Sequence, residues 1–370
     1  MTDVVLIESR RAICGKSLGV ITLNAPRSLN ALSAEMAHAV LHQFQQWRGD
    51  ADIAAVILQG AGDRAFCAGG DIVALYKCLA RADANTDRDV VDYFELEYRL
   101  DYAIHMYPKP ILCWGHGVVM GGGLGLMAGA SHRVVTETSR IAMPEIAIGL
   151  YPDVGASWFL NRMPGRVGLY LGLTGSAVNA ADALFLKLAD HRVRNEDRQQ
   201  LFDEMLRIAW DNSARLNAQR LSALLRSYNG RSPLPPSPVR ERLDLINAAM
   251  DYDSVEEIGA ALTGLAGTDP WLQRGAQSFH AGSPTSAKVI FEIYRRATRM
   301  SLKEVFAMEL GLTIQFARHP DLQQGIRALL IDKDNRPRWS PATLAEVSER
   351  LVEEHLTSPW PKKNHPFHDW

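Results

Sequence analysis

The chain has few cysteines: Cys14, Cys67, Cys78 and Cys113 are the four in 370 residues, and no two of them form a C-x-x-C pair. That spacing indicates neither a structural zinc site nor a redox dithiol, and it fits reduced thiols in a cytoplasmic protein. No apolar run reaches ~18 residues, so no membrane-spanning helix is encoded. Charge of neither sign dominates. Lys and Arg number 40 against 42 Asp and Glu, a formal net charge of −2, so no global field draws the protein to nucleic acid or anionic lipid. The opening residues, MTDVVLIESRR, lack both the apolar core of a secretory signal and the Arg- and Ser-rich, acid-poor make-up of a transit peptide. Internal repeats and heptads are missing too. What remains is ordinary globular composition, with length for a large core, about two domains by the ~150-residue prior, and nothing against a homo-oligomer.

The two parts of the chain differ in texture. Up to about residue 195, short apolar strands alternate with helices and glycines. Val4 to Glu8 and Gly19 to Leu23 read as a hairpin around a turn at Cys14–Ser17. Ser33 is a good N-cap for a helix whose stripe is Met36, Val40, Leu41, Phe44 and Trp47. Ala54 to Leu58 reads as a buried strand, Val90 to Met106 as a helix stopped by Pro108 and Pro110, and Ile111 to Val119 as another buried strand. Arg133 to Thr136 and Ile141 to Met143 complete a repeating ββα order, which predicts an α/β core. After 195 strand patterns almost vanish. Helical stripes at Leu201–Trp210, Ala287–Tyr294 and Leu302–Phe316, with a breaker-rich loop at 230–238, predict a helical region over 196–370 following a core over 1–195. The tail from Pro359 to Trp370 reads as a loosely held extension that Trp360 and Trp370 could dock.

Two motifs are misleading. Gly15-Lys16-Ser17-Leu18-Gly19 matches the G-x-S-x-G nucleophile elbow, but that motif needs a helix after it and a strand follows here. A hairpin turn explains it better. Gly123-Leu124-Gly125-Leu126-Met127-Ala128 matches G-x-G-x-x-[GA], yet the helix it opens has only about ten residues before His132, too few for the crossover helix of a nicotinamide site.

More informative are PheCysAlaGlyGlyAsp at 66–71 and GHGVVMGGGLG at 115–125, each at the end of a buried strand. Either alone is explained by a tight turn. Together they are the kind of loops that aim two peptide N–H donors at one oxygen, as a developing oxyanion requires. Downstream, Glu145 and Asp153 stand in an otherwise apolar stretch broken by Pro144, Gly149 and Pro152. Apolar surroundings raise a carboxyl pKa and make it a usable base, acid or nucleophile. The alternative is a pair of turn or capping residues, Asp153 capping a helix that begins near Gly155.

The segments TLNAPRSLNALS, AFCAGGDI, HGVVMGGGLGL and MPEIAIGLYPDVGAS resemble, in order and spacing, those of the crotonase (enoyl-CoA hydratase/isomerase) superfamily. SPTSAKVIFE at 283–292 and GIRALLIDKDNRPRWSPATLAEV at 325–347 look like the C-terminal region of its 3-hydroxyisobutyryl-CoA hydrolase branch. Nothing is recognised over 195–280. The resemblance implies a spiral of ββα units with a helical C-terminal region, an acyl-CoA substrate, and no metal or redox cofactor. It implies that Ala68 and Gly122 are oxyanion-hole donors, and that Gly69, Gly70 and Asp71, with Gly121, border the substrate. Glu145 matches the shared acid/base glutamate and Asp153 the second carboxylate of the hydrolases. Glu97 looks like an acidic substrate contact, against the alternative of a solvated glutamate on a surface helix.

Hydratases of the family place a second glutamate where this chain has Gly125. Two carboxylates are needed to hold and deliver one water in hydration, so the departure favours hydrolysis of a short 3-hydroxyacyl-CoA thioester, in the context of valine breakdown. An enoyl-CoA hydratase or isomerase is the first alternative. A catalytically silent acyl-CoA-binding module is the more distant one, since binding alone requires no buried carboxylate pair.

Overall fold

The structure is a computed structural model, and it describes residues 4–231, 233–265, 267 and 269–370. Met1 to Asp3 of the opening segment, and Ser232 of the breaker-rich loop, lie outside the described residues.

The strands are β1 (Val5–Arg11), β2 (Ser17–Leu23), β3 (Ile53–Gly60), β4 (Ala65–Cys67), β5 (Ile111–Gly115), β6 (Val118–Met120), β7 (His132–Val135), β8 (Arg140–Ala142) and β9 (His191–Arg192). They form a six-stranded sheet of order β1-β2-β3-β5-β7-β9 and a three-stranded sheet of order β4-β6-β8. The hairpin β1-β2 is antiparallel, and β2, β3, β5, β7 and β9 pair in parallel. Helices follow the strand pairs at Ala34–Gly49, Ile72–Arg81 and Gly122–Ala128, so the expected ββα order is present. From β3 onward the first strand of each pair joins the large sheet and the second joins the small one.

The run Ile111 to Val119 was expected as one strand and is two. The chain turns at Gly117, whose φ is +56°. A Cβ there would lie 2.2 Å from the Arg64 carbonyl oxygen, so only glycine lets β6 leave the large sheet and pair with β4. The helix from Ser33 forms as expected, the Ser33 hydroxyl accepting the Met36 N–H at 3.2 Å.

The compact units do not follow a boundary at 195. One comprises 1–70, 99–141 and 178–237; the other comprises 71–98, 142–177 and 238–370. The reason in the first unit is apolar burial. β2, β3 and β5 are buried along their whole length, and Val20, Ile57, Leu112, Trp114 and Val134 share one cluster with Leu201, Phe202, Met205, Trp210, Leu221, Leu225 and Tyr228. The helices Arg198–Met205 and Ala214–Tyr228 therefore cover the sheet and belong with it.

In the second unit the helices Pro284–Arg296 and Leu302–Arg318 are stopped and started by their caps. Ser283 caps the first with proline at its start, and a Ser301–Glu304 capping box opens the second. The tail is docked rather than loose. Trp370 stacks on Phe367 at 4.0 Å and meets Phe306 edge-on at 6.1 Å, while the His365 ring lies 3.0 Å from the Ala307 carbonyl.

Gly117→Ala should lower unfolding free energy by at least ~2 kcal/mol, from the left-handed φ and the overlap with Arg64. Denaturant unfolding within ~0.5 kcal/mol of the parent protein would show that the glycine does not set the strand break.

Candidate active site

Two sets of groups are candidates for chemistry, and each is described within its own unit. The first is made of backbone. Gly121, with φ +50°, is the N-cap of the Gly122–Ala128 helix, a position closed to other residues, and it leaves the Gly122 N–H at the start of that helix without an intrahelical acceptor. The 66–70 loop packs directly against it: a Cβ on Gly69 would lie 3.7 Å from the Gly122 nitrogen and 3.3 Å from the Met120 carbonyl. The loop is pinned by the Leu32 N–H, which donates to the Gly69 carbonyl at 2.8 Å.

One expected donor is already engaged. The Ala68 N–H donates to the Leu29 carbonyl at 3.0 Å, so it cannot point at a substrate oxygen, and its assignment as an oxyanion donor is corrected. Asp71 has a structural duty: its Oδ1 accepts the Ala74 N–H at 3.0 Å and caps the Ile72–Arg81 helix. The Gly15–Gly19 motif is a hairpin turn, with Ser17 buried at the start of β2. The Gly123–Ala128 motif lies in a helix of 7 residues.

The other set is a cluster of carboxyls within the second unit. Glu97, Glu145, Asp153 and Glu309 are 2%, 6%, 5% and 0% exposed. Glu97 is thus no surface glutamate. Asp153 is no helix cap either: the Ala156–Phe159 helix begins at Gly155 without a side-chain bond, and Asp153 Oδ2 instead takes the Tyr98 hydroxyl at 2.6 Å. Glu145 opens a short 3₁₀ turn, Glu145–Ile148, closed by Gly149. Its Oε2 is buried with no hydrogen-bond partner among the described residues.

Burial dominates the electrostatics. It pushes the Glu145 carboxyl well above the usual range, and the neighbouring Asp153 and Glu97 push the same way. Burial raises Asp153 to about 6, against the opposing pull of the Tyr98 hydrogen bond. Glu97 is raised well above its ordinary value by burial and then by Asp153, so of this pair Glu97 holds the proton and Asp153 ionises first. Glu309 rises to about 8, burial outweighing the N–H groups of Gly155 and Ser157 that donate to its two oxygens at 2.7 and 3.0 Å.

Sequence reasoning missed Tyr98, Tyr151, Thr313 and Glu309. A signal existed for the last two. Along Leu302–Arg318 the apolar stripe is interrupted at Glu309 and Thr313, four apart and so on one face, both fully buried.

With the geometry described, comparison with known proteins places the chain. Residues 18–356 match the model of the family described as enoyl-CoA hydratase/isomerase. The chain belongs to the enoyl-CoA hydratase/isomerase family. Among curated relatives, the mitochondrial 3-hydroxyisobutyryl-CoA hydrolase of Gallus gallus is 37% identical over 338 residues, 90% of this chain and 85% of the relative. That of Homo sapiens is 35% identical over 351 residues, 92% and 86%. Among solved structures, a carnitinyl-CoA dehydratase from Mycobacterium thermoresistibile superposes with a TM-score of 0.85 at 35% identity, covering 97% of this chain and 98% of that one. An enoyl-CoA hydratase from Rhodobacter sphaeroides gives 0.83 at 33%, covering 96% and 98%. The α/β fold with its helical C-terminal region is thus a family property. Among the described residues no helix is long and apolar enough to cross a membrane, and no group of three or more His, Cys, Asp or Glu side chains could hold a metal ion.

The Glu309 shift has a consequence for stability. Its folded value, about 8, lies above the ordinary 4.5, so it contributes stability that is full below 4.5 and is lost as pH rises through 8. Glu309→Gln removes that titration and mismatches one N–H. The variant should be less stable than the parent at about pH 5 yet lose less on going to about pH 8, by up to ~1.4 kcal/mol per pH unit. Parallel stability–pH curves for the two proteins would contradict a protonated Glu309.

Proposed function

We propose that the protein hydrolyses a short 3-hydroxyacyl-CoA thioester, 3-hydroxyisobutyryl-CoA in the first place, to the free acid and CoA. The observation that carries this reading is the buried carboxyl set: Glu145 with an unpartnered oxygen, beside an Asp153 that burial raises to about 6. The named relatives support the same substrate, with identity spread over about nine-tenths of the chain.

In this reading the N–H groups of Gly122 and Gly70 polarise the thioester carbonyl. Gly70 replaces Ala68 because its N–H, unlike that of Ala68, donates to no described residue. Negative charge collecting on the carbonyl oxygen is then met by fixed dipoles that need no reorganisation. Glu145, once ionised, is a strong base for a carboxylate, because its burial disfavours the charge. It attacks the carbonyl carbon to give a mixed anhydride that water then hydrolyses to the free acid, returning Glu145, or it takes a proton from a water that attacks the carbonyl directly; both routes expel the thiolate. Asp153 holds the proton that the thiolate needs, and Glu97 contacts the substrate as a neutral donor. The thioester is already activated, so no cofactor beyond the CoA of the substrate is invoked. The context is valine breakdown. The relatives are mitochondrial by name, and for this chain we propose the cytoplasm.

Hydration of an enoyl-CoA is the second reading, favoured by the names of the structural relatives. Gly125 argues against it, standing where the family's hydratases carry the second water-holding glutamate.

Thiol release should be rapid with 3-hydroxyisobutyryl-CoA and much slower with isobutyryl-CoA, because a site built for a hydroxyl is left with unpaired polar groups when it is missing. Under the same conditions crotonyl-CoA should keep its enoyl absorbance. Fast hydration without thiol release would replace the hydrolase reading with the hydratase one.

Glu145→Gln should fold normally and lose two or more decades of turnover, on the order of a lost base or nucleophile. Gly70→Pro should cost about 10²–10³ in kcat, the usual effect of deleting one oxyanion donor. A correctly folded Gly70→Pro enzyme with full activity would return the second donor to another residue.

A further inference from the structure

Behind Asp153 lies a row of hydroxyls that the proposed reaction does not use. Tyr98 Oη is 2.6 Å from Asp153 Oδ2 and 2.8 Å from Thr313 Oγ1. Thr313 Oγ1 is 2.7 Å from Tyr151 Oη, which is 2.7 Å from the main-chain carbonyl of Glu309. Tyr98, Tyr151, Thr313 and Glu309 are 0% exposed, so the row is shut off from bulk solvent.

The protons can be counted. The row has four oxygen–oxygen contacts and an acceptor at each end, but three hydroxyls bring only three protons. With Asp153 ionised, Tyr98 donates to Asp153 and Tyr151 donates to the Glu309 carbonyl. Thr313 then fills one of its two contacts and leaves the other as two oxygens facing each other without a hydrogen, which is unfavourable in a dry interior. A proton on Asp153 makes four protons for four contacts. Every hydroxyl then points the same way, from Asp153 through Tyr98, Thr313 and Tyr151 to the Glu309 carbonyl.

We propose that Tyr98, Thr313 and Tyr151 are positioning residues, a hydroxyl chain one proton short in which Tyr98 orients Asp153 and Thr313 and Tyr151 offset its pull, favouring a proton on Asp153. No bond other than O–H is made or broken: protonation of Asp153 turns the Tyr98 hydroxyl toward Thr313 and the Thr313 hydroxyl toward Tyr151, while Tyr151 donates to the Glu309 carbonyl throughout, and release of that proton turns Tyr98 back. The catalytic consequence, delivery of the held proton to a departing thiolate, rests on the thioester-hydrolase reading. The effect on Asp153 does not.

The other titratable groups facing Asp153 are Glu97 on the Tyr98 helix, Glu145, and the Glu309 side chain on the Thr313 helix. They are common to the variants below, so differences between variants isolate the hydroxyl chain. The whole enzyme is labelled with ¹³C at the aspartate carboxyl carbons, the Asp153 resonance is assigned by its loss in Asp153→Asn, and its midpoint is read by pH titration.

Thr313→Val removes the unfilled contact. The ionised form is then fully hydrogen-bonded, and the midpoint should fall by about one pH unit. Tyr151→Phe frees the Thr313 proton for Tyr98 and should also lower it, which keeps the proposal testable if the valine variant does not fold. Tyr98→Phe deletes the donor to the carboxylate and should raise the midpoint instead. Thr313→Ser keeps the chain and should restore the parent value. A change in packing alone does not move neighbouring variants in opposite directions. Unchanged midpoints in folded Thr313→Val and Tyr151→Phe, or a shift of all three variants in one direction, would overturn the chain. If the midpoints move as stated but the alkaline limb of kcat for thiol release does not follow them, the chain stands and the acid role of Asp153 in hydrolysis falls.

Discussion

Four carboxyls removed from water in one unit are the constraint on which the rest of the site depends. A buried carboxylate must be neutralised, hydrogen-bonded or matched to a neighbour that carries the proton in its place. Each solution is present. Glu309 is held by two peptide N–H groups, Glu97 keeps its proton beside Asp153, and Asp153 leans on a tyrosine hydroxyl. Glu145 has an oxygen with no partner among the described residues. A buried oxygen without a partner calls for an explanation, and under the proposed function the bound thioester supplies it for Glu145.

The helical C-terminal region takes part in this arrangement. Leu302–Arg318 supplies Glu309, which grips the chain just beyond Asp153 through Gly155 and Ser157, and Thr313, which reaches the tyrosine contacting Asp153 itself. The aspartate is therefore fixed from its own loop and from a helix about 150 residues later in the chain. A carboxylate that stands eight positions after Glu145 on a loop broken by Gly149 and Pro152 would otherwise have wide freedom, and orientation is what an acid or substrate-orienting group needs.

Much of this was legible in the sequence, and the remainder was not, for physical reasons. Strands buried on both faces announce themselves as short apolar runs, so β2, β3 and β5 were visible. The division of Ile111–Val119 was hidden because it depends on Arg64, far away in sequence, occupying the space a side chain at 117 would need. The glycine loops and the Glu145–Asp153 pair stood out by composition. Which N–H in the loop is free was not readable, since Leu29 takes the Ala68 proton through tertiary structure. The burial of Glu97 was equally hidden, because a helix carrying both charged and apolar residues does not declare which face is covered. Residues 198–228 look like a separate helical region by pattern, yet they pack on the sheet through Phe202 and Trp210.

The interleaving of the two units bears on how the chain is made. Tyr98 and Thr313 are 215 positions apart, and Asp153 must wait for the same helix. At the ~5–20 residues per second of synthesis, the stretch bearing Tyr98 is exposed for roughly 10–40 s before its partner leaves the ribosome. The sheet waits as well, though for less time from β3 onward, since the helices that cover it end only near residue 228. Neither unit can close as it emerges, so apolar strands stay uncovered during translation. Recombinant yield should accordingly respond to slower synthesis, lower temperature and added chaperone more than to changes in buffer.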